Sequence, residues 1–297
     1  MPAPRALRLA LFALLAAGLA WLAAVLIARP APAHPFFAGE RPGVQVIAHR
    51  GGAGLRPEET LEAYDNAGRL GADILEIDAR ATADGAIVCL HDATVDRTTD
   101  GSGPVAALTL AELRRFDAGY RWTQDGGRTF PYRGKGLQVP TLEEVLKRHA
   151  PSRMVIEMKV RTPDFAQSLC SVARDVGMTH RVLVASFDYA TLAAFRQACP
   201  EVATSMSQRE AQIFWLLARL RLAAASSPAA VALQVPERFA GVEVLAPFLL
   251  EAARSRNLRV HAWTINEDEA MRRLITLGVD GIMTDRPDRL IGVRGRL

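Results

Sequence analysis

Two histidines, arginines and several carboxylates are interleaved with Val- and Ile-rich runs in "IAHRGGAGLRPEETLEAYDNAG" (residues 47–68) and "GADILEIDARATADGAIVCLHDATVDRTTDGSG" (71–103). A third such run, "VIEMK" (155–159), repeats the pattern. Side chains alternate along a strand, so Glu76 and Asp78 share one face, Glu157 and Lys159 share another, and His49 sides with Ile47. Three carboxylates aimed into one low-dielectric mouth repel one another by several kcal/mol, or protonate, unless a cation balances them. A divalent metal is the simplest balance, and all-oxygen ligation favours Mg²⁺ or Ca²⁺ over zinc. An isolated Glu-x-Asp is an ordinary rim ion pair. Convergence of three strand ends, two His and two cations on one rim gives the pattern its chemical meaning.

Such a rim requires strands that end together. Eight β-like runs occur, at 44–50, 74–80, 153–160, 181–187, 202–207, 231–235, 259–265 and 281–285. Helical periodicity fills most of the gaps, at 60–70, 141–149, 165–176, 190–198, 249–256 and 267–277. Alternating strands and helices predict right-handed βαβ units, and eight of them predict an α/β fold, a (β/α)₈ TIM barrel. Without its first 43 residues the chain keeps 297 − 43 = 254, close to the roughly 250 residues of one barrel. The long gap between the second and third runs, with "DGAIVCLHD" and a glycine-rich stretch, predicts an insertion at the C-terminal rim, where barrel enzymes keep their sites.

Composition narrows the alternatives. Hydrophobic content of 49% and charged content of 23% belong to a folded chain. A net charge of +4 arises from scattered basic residues with no dense block, so no nucleic acid is expected as a partner. Cys89, Cys170 and Cys199 lack zinc-ligand spacing; Cys89 reads as a buried thiol, and a Cys170–Cys199 disulfide is left open.

Residues 9–27 form an uninterrupted apolar run behind Arg5 and Arg8, long enough for a transmembrane helix. The basic flank would stay in the cytoplasm and send the remainder to the periplasmic or extracytoplasmic side. Residues 1–28 are therefore expected to be a signal anchor, 29–43 a stiff Pro-rich linker holding the barrel off the membrane, and 44–297 the barrel domain. "APA" at 31–33 offers the alternative of a cleaved secretory signal.

The motifs "AHRGG", "PEET", "ILEIDARATADG", "LHDATVDRTTDGSG", "VIEMK", "AWTIN" and "GVDGIMTDRPD" resemble, in order and spacing from about residue 44 to 290, the glycerophosphodiester phosphodiesterases. The resemblance implies a (β/α)₈ barrel that uses Mg²⁺ or Ca²⁺ to hydrolyse glycerophosphodiesters to sn-glycerol 3-phosphate and an alcohol. It makes His49 and His91 the acid/base pair, Glu76, Asp78 and Glu157 the metal ligands, and Arg50 the phosphate holder. Glu58 becomes a supporting member of the network, Lys159 the lysine of the Glu-x-Lys strand, and Trp263 an aromatic wall on the glycerol side. Glu59 departs from the family, which usually has Asn there, and this puts the local charge and loop geometry in question. Direct attack by water and a cyclic phosphate intermediate both stay open.

Three other functions compete. A non-catalytic module binding lipid headgroups is disfavoured because neither His and no metal carboxylate is lost. A metal-dependent aldolase barrel gives no reason for His49, Arg50 and His91 together. A lysophospholipase D activity on lysophospholipids, acylated diesters met at a membrane, is motivated by the apolar segment "AQIFWLLARLRLAAA" (211–225). That segment either packs on the barrel wall or turns Phe214, Trp215 and Leu216 toward a bilayer.

Overall fold

The computed structural model describes residues 5–296. Its strands are β1 (Gln45–Ala48), β2 (Ile74–Ala81), β3 (Ile87–Cys89), β4 (Arg153–Met158), β5 (Val182–Ala185), β6 (Ala203–Thr204), β7 (Ala232–Pro236), β8 (Arg238–Phe239), β9 (Val242–Glu243), β10 (Arg259–Trp263) and β11 (Gly281–Thr284). The helices are α1 (Arg5–Ile27), α2 (Leu61–Leu70), α3 (Leu110–Leu113), α4 (Leu142–Arg148), α5 (Pro163–Asp175), α6 (Tyr189–Ala198), α7 (Gln208–Arg219), α8 (Pro247–Ser255), α9 (Asp268–Leu277) and α10 (Pro287–Arg294).

Parallel hydrogen bonding runs in the order β6-β5-β4-β2-β1-β11-β10-β7. A single parallel bridge, Ser205 to Ala232, draws the two ends together into a nearly closed eight-stranded barrel. These strands are the eight runs expected from the sequence. Helices cover their outer faces, so β1, β5 and β11 are buried on both sides and read as continuous apolar runs. Inside, Gly281 makes room for the fully buried His261, because a Cβ there would lie 2.9 Å from the imidazole and 3.0 Å from Ile47.

The expected insertion lies between β2 and β4. It opens with β3, antiparallel to β2, and folds around its own apolar cluster, which includes Val95, Leu113 and Val139. The Trp122 indole N–H donates to the Ala53 carbonyl at 3.0 Å, tying the insertion to the loop after β1.

The expected linker departs from its prediction. Residues 29–43 pack across the N-terminal end of the barrel, with Phe36 fully buried among inward-facing strand residues. The Ala31 N–H donates to the Arg256 carbonyl at 2.9 Å, and Arg153 holds Glu40 at 3.0 Å. The adjacent Phe36 and Phe37, edge to face at 5.0 Å, carry enough apolar surface to overcome the extended preference of the flanking prolines.

The apolar N-terminal run is helical as α1, and its described side chains are almost all exposed. Among the described residues, whose side chains within α1 run unbroken only over 11–27, no helix is long and apolar enough to cross a membrane. The first four residues of the expected anchor, and the Arg8 side chain of its basic flank, lie outside the described residues.

Of the two readings of residues 211–225, packing on the barrel wall holds for Phe214 and Trp215, and the bilayer-facing alternative does not. Phe214 is buried, while Trp215 stacks edge to face on Phe248 at 5.7 Å and donates to the Val244 carbonyl at 3.3 Å. Leu216 is exposed, as are Ile213 and Leu220 on the same helix side. The periodicity of α7 therefore divides a run that reads as apolar all round into a packed and an open face.

Cys170 on α5 and Cys199 just after α6 form a disulfide, and Cys89 is a buried free thiol. The bridge closes a loop of 29 residues, which in the chain-entropy picture stabilises the fold by about 3–4 kcal/mol. Replacing both cysteines by serine should lower Tm by roughly 10 °C, measured by circular dichroism. An unchanged Tm would show that the bridge does not constrain the unfolded chain.

Candidate active site

The mouth is built first by backbone. At the end of β1 the chain turns sharply through His49–Gly51, with Arg50 at φ 53°. That left-handed value costs a non-glycine residue of order 1 kcal/mol or more. Gly51, at φ 76°, is required by close approach as well, since a Cβ there would lie 2.8 Å from that of Ala63 on α2. The turn directs the Arg50 N–H onto the Glu76 carboxylate at 2.8 Å and leaves the His49 side chain facing the barrel mouth.

The two imidazoles are held in the same way. His49 Nδ1 lies 2.6 Å from Asp285 Oδ1, and the other Asp285 oxygen accepts from Asn266 Nδ2 at 2.7 Å. His91 Nδ1 lies 2.6 Å from Asp92 Oδ1, while Arg80 fixes the His91 carbonyl at 2.7 and 2.9 Å. An Asp at Nδ1 fixes each tautomer and leaves Nε2 for chemistry. Both imidazoles line one cavity of about 470 Å³, together with Arg50, Glu76, Glu157, Lys159 and Trp263.

Their environments push them apart. Burial pulls His49 down, but the Asp285 hydrogen bond and the charges of Glu76 and Asp285 leave its pKa raised. At His91 burial outweighs the Asp92 hydrogen bond, and the pKa is lowered. Burial would also raise Asp92, yet its bonds to Arg97 and His91 bring it down to about 2.

Between the imidazoles sits the acidic cluster. Asp78 on β2 is paired in register with Glu157 on β4. Lys159 Nζ bridges them, at 3.0 Å from Asp78 Oδ1 and 2.8 Å from Glu157 Oε1. Arg50 reaches Asp78 Oδ2 at 3.2 Å and Glu58 at 3.0 Å, and Arg97 forks onto Glu58 at 2.6 and 2.7 Å. Two cations do not balance the cluster. Burial and Asp78 push Glu76 up to about 8, and burial raises Glu157 despite Lys159. Asp78 Oδ2, although close to Arg50, is a buried oxygen with no hydrogen bond. An orphaned carboxylate oxygen beside a carboxyl that burial holds protonated fits a divalent cation with oxygen ligands.

Glu59 is the residue whose weight the sequence did not reveal. Its carboxyl oxygens come within 4.8 Å of those of Glu76 and Asp78, forming a buried acidic group able to hold a metal. Its own bonds point away from that role, because one oxygen accepts the Asp78 N–H at 3.0 Å and the other pairs with the Tyr64 hydroxyl. Burial, then Asp78 and Glu76, raise its pKa well above the ordinary carboxyl range and so favour the protonated form. A protonated carboxyl presents one acceptor and one donor, as an Asn amide does.

All the expected site residues, His49, Arg50, Glu58, Glu76, Asp78, His91, Glu157, Lys159 and Trp263, converge at this rim or in its supporting network. Asp285, Asn266, Asp92 and Arg97 were not singled out, although they lie within the motifs "TDRPD", "AWTIN" and "LHDATVDR". For three of them the signal was position, since Asp285 and Asn266 lie just past strand ends and Asp92 lies next to His91, whereas Arg97 sits within the insertion with no such mark.

A barrel carrying paired His–Asp units and an acidic cluster at its C-terminal rim has the parts of a phosphoric diester hydrolase. The glycerophosphoryl diester phosphodiesterase family matches residues 49–289, and the chain belongs to that family. It is 32% identical over 254 residues to the glycerophosphodiester phosphodiesterase of Caldanaerobacter subterraneus subsp. tengcongensis, covering 84% of this chain and 96% of that one. A Bacillus subtilis glycerophosphodiester phosphodiesterase is 30% identical, covering 82% and 84%. Among solved structures, the glycerophosphodiester phosphodiesterase of Agrobacterium tumefaciens superposes with a TM-score of 0.67 at 27% identity, covering 84% and 99%. An Oleispira antarctica phosphodiesterase in complex with the product sn-glycerol-3-phosphate superposes with a TM-score of 0.68 at 25% identity, covering 85% and 97%.

If Glu59 is a neutral acid, Glu59→Gln should stay within about 1 kcal/mol of wild type. Glu59→Ala, which strands the buried Asp78 N–H, should cost about 1–3 kcal/mol in urea unfolding. Equal losses in the two variants would contradict the neutral-acid assignment.

Proposed function

We propose that the chain hydrolyses glycerophosphodiesters to sn-glycerol 3-phosphate and an alcohol at this rim. The observation that carries the reading is the pair of imidazoles, each with Nδ1 held by an Asp, facing one cavity around a buried carboxylate cluster. One His takes a proton from the attacking oxygen and the other gives a proton to the leaving alkoxide, the two halves of phosphodiester hydrolysis near neutral pH. Arg50, oriented by Glu58 and by its backbone bond to Glu76, meets the phosphodiester anion. Lys159 compensates Asp78 and Glu157 as a compact point charge. Trp263, edge to face with Phe187 at 5.8 Å, walls the glycerol side.

Glu76, Asp78 and Glu157 are the residues we assign to Mg²⁺ or Ca²⁺, with Glu59 behind them as a hydrogen-bonding support. When bound, such a cation supplies positive charge to the phosphoryl oxygens as negative charge builds on them.

We also propose that residues 1–28 anchor the chain in a membrane, with the barrel on the periplasmic or extracytoplasmic side. The basic flank, the apolar run and the Cys170–Cys199 disulfide, a bond that persists in oxidising compartments, support this placement.

The test is release of sn-glycerol 3-phosphate from glycerophosphocholine by the full chain, read through a coupled dehydrogenase, with Mg²⁺, Ca²⁺ or EDTA. Metal-dependent release is expected, and His49→Ala or His91→Ala should lower kcat by about 10²–10⁴-fold with an unchanged far-UV spectrum. Full activity in both variants would remove the acid/base assignment.

A further inference from the structure

A second cavity, of about 310 Å³, opens from the same mouth and is lined by Arg80, Met158 and Arg161 together with His91, Glu157 and Lys159. The last three also line the main cavity, so the two spaces meet at the reacting groups. Strand parity builds this recess. Glu76, Asp78 and Arg80 follow one another on one face of β2. On the neighbouring strand Glu157 is followed two residues on by Lys159, and Arg161 comes two residues later, past the end of β4. One step beyond the carboxylates, the β2–β4 side of the rim is therefore cationic.

The three cations are not equally occupied. Lys159 is committed to Asp78 and Glu157. Arg80 is half-buried and donates Nε and Nη2 to the His91 carbonyl at 2.9 and 2.7 Å, which fixes its plane. Burial lowers its pKa despite the charges of Asp78, Asp92 and Glu157, so it is a cation short of negative charge. Arg161 is exposed at the entrance. Asp188, the carboxylate that senses its charge, accepts instead from the Thr191 N–H and hydroxyl, at 2.8 and 2.7 Å. Among the described residues neither Arg80 nor Arg161 forms an ion pair.

Trp263, the wall assigned to glycerol, ends β10, and β4 is four strands away from β10 in either direction round the barrel. A diester with its phosphate at the shared wall and its glycerol on the Trp263 side directs its other ester arm toward the recess. We infer that the recess is a headgroup site for an alcohol carrying a second phosphate, and that glycerophosphodiesters with a phosphorylated headgroup are preferred substrates of this centre. The inference rests on the phosphodiesterase reading of the mouth. Two guanidinium groups without carboxylate partners match a phosphate monoester, whose oxygens accept charge-assisted hydrogen bonds, whereas a neutral alcohol gains nothing from them. Overall, water adds across the bond between phosphorus and the headgroup oxygen. The products are sn-glycerol 3-phosphate and the phosphorylated alcohol, whose own phosphate ester is untouched.

The experiment follows sn-glycerol 3-phosphate release by the full chain from glycerophosphoinositol 4-phosphate and from glycerophosphoinositol, which differ only by the second phosphate, in whichever of Mg²⁺ or Ca²⁺ supports turnover. The expected kcat/KM is about tenfold higher for the phosphorylated substrate. The gain should enter through KM, because a remote phosphate is held alike in the ground and transition states. Arg161→Glu should abolish or reverse the preference, and Arg161→Lys should keep part of it. Equal kcat/KM for the two substrates, or a preference that survives Arg161→Glu, would overturn the headgroup site while leaving the phosphodiesterase reading intact. If neither substrate is turned over, the phosphodiesterase reading fails, and calorimetric titration of inositol 4-phosphate in EDTA, with inositol as control, decides the recess by itself. Saturable heat that is lost in Arg161→Glu supports the site, and no heat, or heat unchanged in that variant, refutes it.

Discussion

The rest of the structure is arranged around a concentration of buried negative charge. Glu59, Glu76 and Asp78 are each at most 3% exposed, and Glu157 stands beside them at the end of the next strand. Burying carboxylates is costly unless they are paired, protonated or bound to a cation, and this rim uses the first two. Lys159 and Arg50 pair with Asp78, while burial raises the pKa of both Glu59 and Glu76 and favours their protonated forms. The remaining imbalance, with its orphaned Asp78 oxygen, is what a metal cation would relieve.

Around that charge, the backbone is bent to bring donors inward. Arg50 and Glu59 both adopt positive φ, at 53° and 58°, within the loop joining β1 to α2. The first lets a main-chain N–H meet Glu76, and the second lets a carboxyl meet the Asp78 N–H. Gly51 permits α2 to pack tightly against this loop. Strain at the rim is held by the barrel beneath, whose rigid strands fix His49, Glu76, Glu157 and Asp285 relative to one another.

Much of this was legible in the sequence because strand parity is a strict code. Glu76 and Asp78 two apart, Glu157 and Lys159 two apart, and eight apolar runs at barrel spacing led directly to one rim. Three features were not legible. Residues 29–43 read as a stiff spacer, because proline content carries no record of the barrel floor that Phe36 fills. The 211–225 run reads as uniformly apolar until the fold buries Phe214 and sets Trp215, partly buried, against Phe248. Glu59 read as a perturbation of the Asn position because protonation depends on three-dimensional surroundings, and only these show the burial and neighbouring carboxylates that raise its pKa.

The central claim is that the carboxylate cluster is completed by a divalent cation, and its most direct test is thermal. Ligands that bind only the folded state raise Tm by mass action. The full chain should gain stability saturably with Mg²⁺ or Ca²⁺, Asp78→Asn should lose most of that gain, and the apparent affinity should rise as pH increases toward 8, because Glu76, raised to about 8 without metal, must shed its proton to act as a ligand. No metal-induced shift, or an equal shift in Asp78→Asn, would contradict the account.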